Sequence, residues 1–187
     1  MQFMKTLLLF LLICTATFAQ DFTVIPAGLV SKQDVTKNYF VAYFEGVPAD
    51  TLYSHANKYI QETYNNGNAS VMDSAEKGSL ISFVSNDMFI SKSKRNKSKD
   101  EVTYYATFTT TTEFKDNRVK VTYSKIEIYY TDINNEKHVM PFTSFWDDKG
   151  KLIEPQAKKI VETHFNAFTR LLIKAVRKGN YKPSTDW

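Results

Sequence analysis

The sequence is poor in cysteine, histidine, glycine and proline, and the shortage of cysteine excludes one class of protein outright. Cys14 is the only cysteine among 187 residues, and the chain has three histidines, six glycines and five prolines. A single cysteine cannot form an internal disulfide, so a disulfide-stapled mini-domain is excluded. No repeat, low-complexity tract or Pro/Gly-rich linker divides the chain. The sequence therefore predicts one domain held together by side-chain packing.

Long hydrophobic runs are also absent, and the one short run, residues 7–13, lies near the N-terminus. It is far shorter than the roughly twenty residues that span a bilayer, which argues against a membrane anchor. Lys5 precedes it, and the small residues Thr17 and Ala19 follow it at the third and the first position before the expected cut, which is the order of parts in a cleavable export signal. We expect cleavage near Ala19 and a periplasmic or secreted protein without a transmembrane segment. A lipoprotein would need a small residue before Cys14, where Ile13 stands.

Charge of one sign is not in marked excess, because 24 Lys and Arg oppose 20 Asp and Glu to give a net charge of +4. Nucleic-acid-binding proteins usually concentrate basic residues on one face of the fold, so we expect no nucleic-acid partner. The densest run of charge, residues 92–99, predicts a solvated hairpin loop. Outside the cytoplasm its nearest anionic partner would be an envelope surface that carries phosphate groups. The cations of this run are Lys92, Lys94, Arg95, Lys97 and Lys99.

Apolar periodicity predicts strands and helices in the order β-α-β-β-β-β-α. Apolar residues recur every four positions from Leu52 to Tyr64, after Asp50 as the N-cap, which is typical of a helix with one buried stripe. The last helix carries a longer stripe, made of Ile160, Val161, Phe165, Phe168, Leu171, Leu172 and Val176. We expect strands at 39–45, 69–74, 79–90, 101–114 and 118–131, and helices from 50 to a turn at 65–67 and from 156 to 178. The expected organisation is an export signal over 1–19, a lead-in over 20–38, one domain over 39–178 and a tail over 179–187.

Alternation in the last two strands predicts which side of the sheet is buried. In the strand at 101–114, one parity is apolar and the other is polar. The apolar parity includes Val102, Tyr104, Ala106 and Phe108, and the polar parity includes Tyr105 and Thr107. In the next strand the apolar phase changes after Tyr123, which predicts a bulge near Ser124 or Lys125. The expected fold is a two-layer α+β domain, in which two helices cover one face of a curved antiparallel sheet of about five strands.

The other face of such a sheet is open, and its residues suit recognition. Tyrosine rings offer a large contact area at low entropic cost, and hydroxyl groups bond to sugars or peptides. The alternative is that tyrosine and threonine occur here because they favour strands. Candidate ligands are a glycan, a peptide or a small amphipathic molecule. The candidate ligand-binding residues are Tyr39, Tyr43, Tyr105, Thr107, Thr109, Thr111 and Thr122.

Three stretches of the sequence together resemble a known family. They are YFVAYFEG at 39–46, the helix start DTLY at 50–53 and GSLI at 78–81. With the export signal, they are similar to exported Bacteroidetes-type proteins of the domain-of-unknown-function family 4468. The likeness spans residues 39–133, and Tyr59 stands where a tryptophan is expected. The resemblance implies a TBP-like fold and an exported location, and it transfers no functional residue.

Motifs for catalysis, metal binding or cofactor binding lack a supporting context. His55, His138 and His164 do not have the paired spacing of metal ligands. Residues 91–94 match S-x-x-K, but they lie in a lysine-rich loop and have no K-T-G partner. We therefore predict no catalytic residue, no metal ligand and no cofactor.

The remaining route to an enzyme would be a pair of carboxylates. Asp147 and Asp148 are adjacent, but Lys149 and Gly150 follow them, which favours a solvated turn. The sequence thus predicts a non-enzymatic, exported binding or envelope-interaction module. The alternative is an enzyme or enzyme inhibitor whose site is formed by residues distant in sequence.

Overall fold

One antiparallel sheet, two long helices, a small hairpin and a short 3-10 helix (Phe142–Phe145) form the regular structure of the described part of the chain. The structure is a computed structural model and describes residues 21–64, 69–73, 80–94 and 101–178. The expected export signal, the turn at 65–67 and the tail lie outside the described residues. The helices are α1 (Ala49–Tyr64) and α2 (Pro155–Lys178). The strands are β1 (Phe22–Ile25), β2 (Gly28–Ser31), β3 (Tyr39–Tyr43), β4 (Ala69–Asp73), β5 (Leu80–Lys94), β6 (Glu101–Lys115), β7 (Arg118–Thr131) and β8 (Lys137–Val139).

The main sheet has the strand order β3-β7-β6-β5-β4, and all its neighbours are antiparallel. The first strand of the sheet therefore pairs with its last long strand. The short strand β8 pairs with the other end of β7, from Tyr129 to Thr131. The predicted α+β class and the predicted series of five strands and two helices are confirmed, whereas β8 was not predicted.

Both helices pack on the same face of this sheet, as predicted. Phe165 of α2 meets Phe108 of β6 with ring centroids 4.9 Å apart. Tyr53 of α1 meets Phe114 of the same strand at 5.6 Å. The apolar parity of β6, which includes Val102 and Phe108, is fully buried beneath them. The result is two layers with the core between them.

The buried stripe of α2 differs from the prediction at one residue. Phe168 and Leu172 are buried, but Leu171 is 44% exposed. An α-helix turns by about 100° per residue, so Leu171 lies well to one side of Leu172 and misses the sheet. In the described ranges, neither helix combines the length and the apolar character needed to cross a membrane.

Register shifts on both sides of β6 bend the sheet, with one shift in β7 and two in β5. Thr107 pairs with Glu127 and Thr109 pairs with Ser124, so β7 has one more residue than β6 between these two pairs. Within this extra stretch of β7, Lys125 takes a positive φ of 50°. This confirms the predicted bulge. The first shift in β5 lies between Ser85 and Met88 and places Asp87 at φ 48°. Bulges increase the local twist and bend a strand, so the sheet curves at the level of Thr107.

An N-terminal hairpin, β1–β2, fills the helical layer beside α2. Phe22 is buried and packs edge-on against Tyr123 at 5.2 Å. Its backbone N–H donates to Asn166 Oδ1 at 2.7 Å. Glu162 Oε1 accepts from the Val24 N–H at 2.9 Å. The lead-in expected over 20–38 thus contains a hairpin that contributes to the core.

Candidate functional site

The face of the sheet opposite the helices carries the predicted ligand-binding residues. Register places Tyr39 beside Thr122 and Thr122 beside Thr111. Tyr105 and Thr107 lie at the other end of the same face. At about 3.4 Å per residue, the eight residues from Tyr105 to Glu113 separate the two ends by roughly 27 Å. The candidates therefore form two groups: Tyr105 and Thr107 at one end, Tyr39, Tyr43 and Thr122 at the other, and Thr109 and Thr111 between them.

At the first end, three rings form an aromatic row across the sheet, which consists of Phe89 on β5, Tyr105 on β6 and Tyr129 on β7. Tyr105 and Tyr129 stack with centroids 5.2 Å apart and planes at 15°. Phe89 meets Tyr105 edge-on at 6.3 Å. The ammonium of Lys137 lies 4.1 Å from the centroid of Tyr129. Tyr129 is almost completely covered, whereas Phe89 is 54% exposed, so the row presents its apolar surface to solvent at the Phe89 end.

Asp87 fixes the aromatic row through the bulge in β5. The Tyr129 hydroxyl donates to Asp87 Oδ1 at 2.7 Å, and the Asp87 N–H donates to Thr107 Oγ1 at 3.1 Å. Burial raises the pKa of the Tyr129 phenol, and the Asp87 carboxylate raises it further. The phenol is therefore neutral and remains a donor at ordinary pH. Ring surface, a hydroxyl and a carboxylate thus lie side by side at this end of the face.

Sequence reasoning missed Phe89, Tyr129 and Asp87 as site residues. In an unbroken β7, Tyr129 would share the parity of the buried Val119 and lie in the core. The predicted bulge in β7 could have placed Tyr129 correctly, because a one-residue slip moves all later side chains of the strand to the other face. For Phe89 the signal was Asp87 and the asparagine before it, since both residue types tolerate positive φ.

Hydroxyl side chains connect the two ends of the open face. Thr109 pairs with Ser124 and Thr111 pairs with Thr122 across β6 and β7. On the other side of β6, Thr111 pairs with Ser82. Main-chain groups in these strands are used by the sheet ladder. A ligand on this face would therefore meet side chains alone.

At the second end, side chains of β3, β6 and β7 enclose a cleft of about 390 Å³, which we call the basic cleft. Tyr43 is 69% exposed at its rim. Lys120 bonds to Glu113 at 2.5 Å and lies 5.0 Å from the centroid of the Tyr39 ring. Arg118 pairs in register with Tyr43. The lining residues are Tyr39, Val41, Tyr43, Glu113, Lys115, Arg118 and Lys120.

The basic run at 92–99 is only partly within the described residues. Lys92 is exposed and pairs in register with Thr103. The backbone of Lys94 ends β5. Arg95, Lys97 and Lys99 lie outside the described residues. The anionic-surface interaction expected of this run stays a prediction.

Two histidines serve the packing of the helices. His55 on α1 has its Nδ1 2.8 Å from the Val176 carbonyl oxygen on α2, which links the two helices. His164 on α2 lies edge-on to Phe108 at 6.4 Å. Burial lowers the pKa of His164 from 6.5 to about 4, so its ring is neutral at ordinary pH.

The third histidine belongs to the turn between β7 and β8. His138 stacks on Tyr130 at 4.7 Å and its Nε2 lies 3.1 Å from Asp132 Oδ2. Ligand atoms of Asp132, Glu136 and His138 lie within 4.8 Å of one another. Asp132 Oδ1 already accepts the backbone N–H groups of Asn134 and Glu136. The cluster therefore closes a turn.

The adjacent carboxylates also lie in a turn, as predicted. Asp147 Oδ1 accepts the backbone N–H groups of Lys149 at 2.9 Å and Lys151 at 2.8 Å. Asp148 is exposed, and Gly150 takes a φ of 77° that favours glycine. These contacts are those of a solvated turn.

Comparison with known proteins agrees with the fold. Residues 41–129 match the family described as "Domain of unknown function (DUF4468) with TBP-like fold". No curated protein matches the chain. A solved TBP-like protein from Parabacteroides distasonis aligns with a TM-score of 0.53 and 14% identity, over 76% of this chain and 92% of that chain. A solved DUF4468 family protein from Bacteroides ovatus aligns with a TM-score of 0.48 and 20% identity, over 79% of this chain and 88% of that chain. At 14% identity the likeness to the Parabacteroides distasonis protein concerns the fold alone. The match to the DUF4468 family model, which is described as having a TBP-like fold, covers residues 41–129, from β3 into β7.

Proposed function

We propose that the protein is an exported, non-catalytic binding module and that its aromatic row binds a neutral glycan. The observation that carries the proposal is the 54% exposure of Phe89 at the end of a fixed stack of tyrosines. A large ring exposed beside other rings is typical of a contact surface. Asp87 and Thr107 supply polar partners next to it.

The chemistry of the open face favours a sugar over a peptide. A peptide that adds a strand bonds to the unpaired backbone of a sheet edge and lies beside the sheet. Among the described residues, β5 offers such an edge beyond Ser85, where its pairing with β4 ends, but a peptide bound there would not lie across the three rings of the aromatic row. A glycan has apolar C–H faces that pack on aromatic rings and hydroxyl groups that bond to carboxylate and hydroxyl side chains. Those are the groups that this face offers.

The aromatic row is also held in place before any ligand arrives. Tyr129 is fixed by the 2.7 Å bond to Asp87, by the stack with Tyr105 and by the ammonium of Lys137. Side chains that are already ordered lose little entropy on binding. This rigidity supports a role in recognition.

A titration of the full chain with xylo-, cello- and malto-hexaose tests the binding proposal. We expect one of these sugars to bind and to be recovered intact, and we expect Phe89→Ala to weaken its binding about tenfold or more, which corresponds to 1.4 kcal/mol. Tyr43→Ala is the matched control, because it removes an exposed ring from the far end of the same face. Equal loss in both variants, or no binding of any hexaose, would contradict the proposal.

Export is tested separately by sequencing the N-terminus of the protein recovered from the cell exterior. The residues up to Ala19 have the order of parts of an export signal, so we expect the mature chain to begin near Gln20. A chain that begins at Met1 or Cys14 would show that the proposed processing is wrong.

A further inference from the structure

The basic cleft lies about 27 Å from the aromatic row and has a chemistry that a neutral glycan does not use. We propose that this cleft is a second binding site, which binds a six-membered ring bearing a carboxylate, as in a uronic acid. The carboxylate would lie against Arg118 and Lys115. This proposal does not depend on the glycan site, because the two sites share no residue.

The shape of the basic cleft comes from the side-chain pattern of β3. Tyr39, Val41 and Tyr43 lie on one face at alternate positions. Each step of two residues covers about 6.8 Å, so the two tyrosines stand roughly 14 Å apart with the shorter Val41 between them. Two rings thus form the walls of a slot and an aliphatic side chain forms its floor. Its volume of about 390 Å³ falls within the range of small-molecule sites, roughly 300–1,000 Å³.

The charges of the cleft are not balanced by its own residues. Lys120 is bonded to Glu113 and lies over the Tyr39 ring. Within the described ranges, Arg118 and Lys115 form no ion pair, and they are direct partners in the register of β6 and β7. Like charges at directly opposed positions of a sheet destabilise it. An anion placed between them would remove this repulsion.

The direction of the ligand follows from the register. Tyr43, Arg118 and Lys115 are consecutive neighbours across β3, β7 and β6. An arginine guanidinium binds a planar carboxylate through two parallel hydrogen bonds. With its carboxylate at Arg118, which pairs with Tyr43, a ring placed two residues back along β3 would lie over Val41. A bare anion would use the cations but not the slot.

The experiment is a calorimetric titration of the full chain with tri-galacturonate, with galactotriose as the neutral match and with inorganic phosphate as the bare anion. We expect tri-galacturonate to bind at least tenfold more tightly than either of the other probes. We expect the double variant Lys115→Gln/Arg118→Gln to lose this binding, and Tyr43→Ala to weaken it. Binding should also weaken as salt is raised.

The matched control is Lys149→Gln/Lys151→Gln, which removes the same charge from an exposed turn. An equal loss in this control would show that only overall charge attracts the probe, and it would overturn the proposal. Equal binding of phosphate and tri-galacturonate would overturn the role of the slot, and failure of all three probes to bind would overturn the site. Phe89→Ala should leave the binding of tri-galacturonate unchanged, which separates this result from that of the glycan site.

Discussion

The hydroxyl oxygen of Tyr123 on β7 lies 2.7 Å from Oγ1 of Thr169 on α2, and both side chains are buried. Thr169 Oγ1 is also 2.8 Å from the Phe165 carbonyl oxygen. A threonine hydroxyl has one hydrogen, so Thr169 donates to Phe165 and accepts from Tyr123. Burial raises the pKa of the Tyr123 phenol, which keeps it neutral as the donor. One polar bond thus links the sheet to the helix inside the apolar layer.

We expect Tyr123→Phe to lower the free energy of unfolding by about 1 kcal/mol, the usual net value of a hydrogen bond. Thr169→Val should cost more, about 1–3 kcal/mol, because it leaves the Tyr123 hydroxyl buried without an acceptor. In the double variant the two losses should not add, since the residues share one bond. Urea denaturation measures all three. Additive losses would show that the bond does not couple the two residues.

The hairpin β1–β2 depends on Glu162. Burial would raise the pKa of this carboxyl, but bonds from Lys158, the Thr23 hydroxyl and the Val24 N–H outweigh burial and lower it. We expect Glu162→Ala to lose about 2 kcal/mol through the broken bonds to the charged group. Amide hydrogen exchange should then accelerate over residues 22–31 more than in β6. Glu162→Gln retains an acceptor oxygen and should lose less. Uniform acceleration across the chain would contradict local docking of the hairpin.

The long strands were predictable because their side chains obey a simple period. In β6 the residues from Val102 to Phe108 alternate without interruption, and the predicted burial agrees with the structure. In β7 the change of phase revealed the bulge at Lys125. The hairpin β1–β2 and strand β8 were missed, because strands of three or four residues are too short to show a period. The hairpin is held by contacts with α2 that lie far away in sequence, whereas β8 pairs with the end of β7 across a short turn.

The candidate site was predictable only in outline. Tyr105 and Thr107 were placed on the open face by parity alone. The row that Tyr105 forms with Phe89 and Tyr129 requires two bulges that slip both neighbouring strands. The basic cleft depends on the pairing of β3 with β7, which joins residues about 80 positions apart. Strand order is a property of the whole fold, so no local pattern of residues contained it.

Two substitutions on α2 test the corrected stripe. Phe168 packs against Phe83 at 5.8 Å and Phe108 at 5.9 Å, whereas Leu171 is 44% exposed. Phe168→Asp places a charge in the core and should abolish cooperative unfolding. Leu171→Asp introduces the same charge three residues further along and should change the unfolding free energy by less than about 1 kcal/mol. Circular dichroism melting curves compare the two. If Leu171→Asp also unfolded the protein, the assigned orientation of α2 would be wrong.

His164 makes stability depend on pH in the mildly acidic range. Burial lowers its pKa from 6.5 to about 4 in the folded state, so the unfolded chain binds a proton first. Above pH 6.5 the His164 ring is neutral in both states, so it does not lower the free energy of unfolding. As the pH falls from 6.5 toward 4, proton uptake by the unfolded chain lowers the free energy of unfolding. At 1.36 kcal/mol per pKa unit the loss is at most about 3 kcal/mol. His164→Leu cannot titrate, so its unfolding free energy should fall less than that of the natural protein over this interval. Parallel pH profiles for the two proteins would contradict the assignment.

Buried hydroxyl groups on the helical side of β6 are a source of instability that can be removed. Thr110 and Thr112 are fully buried, and in the described part of the chain their Oγ1 atoms have no hydrogen-bond partner. Burying an unpaired hydroxyl costs about 1–3 kcal/mol. Valine has nearly the same shape and favours strands, so Thr110→Val should raise the free energy of unfolding by about 1 kcal/mol. Thr112→Val should do the same.

Thr109→Val is the control for these substitutions, because Thr109 lies on the open face of the same strand and remains partly hydrated. It makes the same chemical change without removing a buried unpaired group, so its effect should be close to zero. Urea denaturation measures the free energy of unfolding of each of the three single variants. A gain confined to Thr109→Val, or a loss at Thr110, would show that the buried hydroxyls have partners in solution. All three variants change strand propensity equally. A gain at Thr110 and Thr112 but not at Thr109 would therefore show that the gain comes from removing buried, unpaired hydroxyl groups.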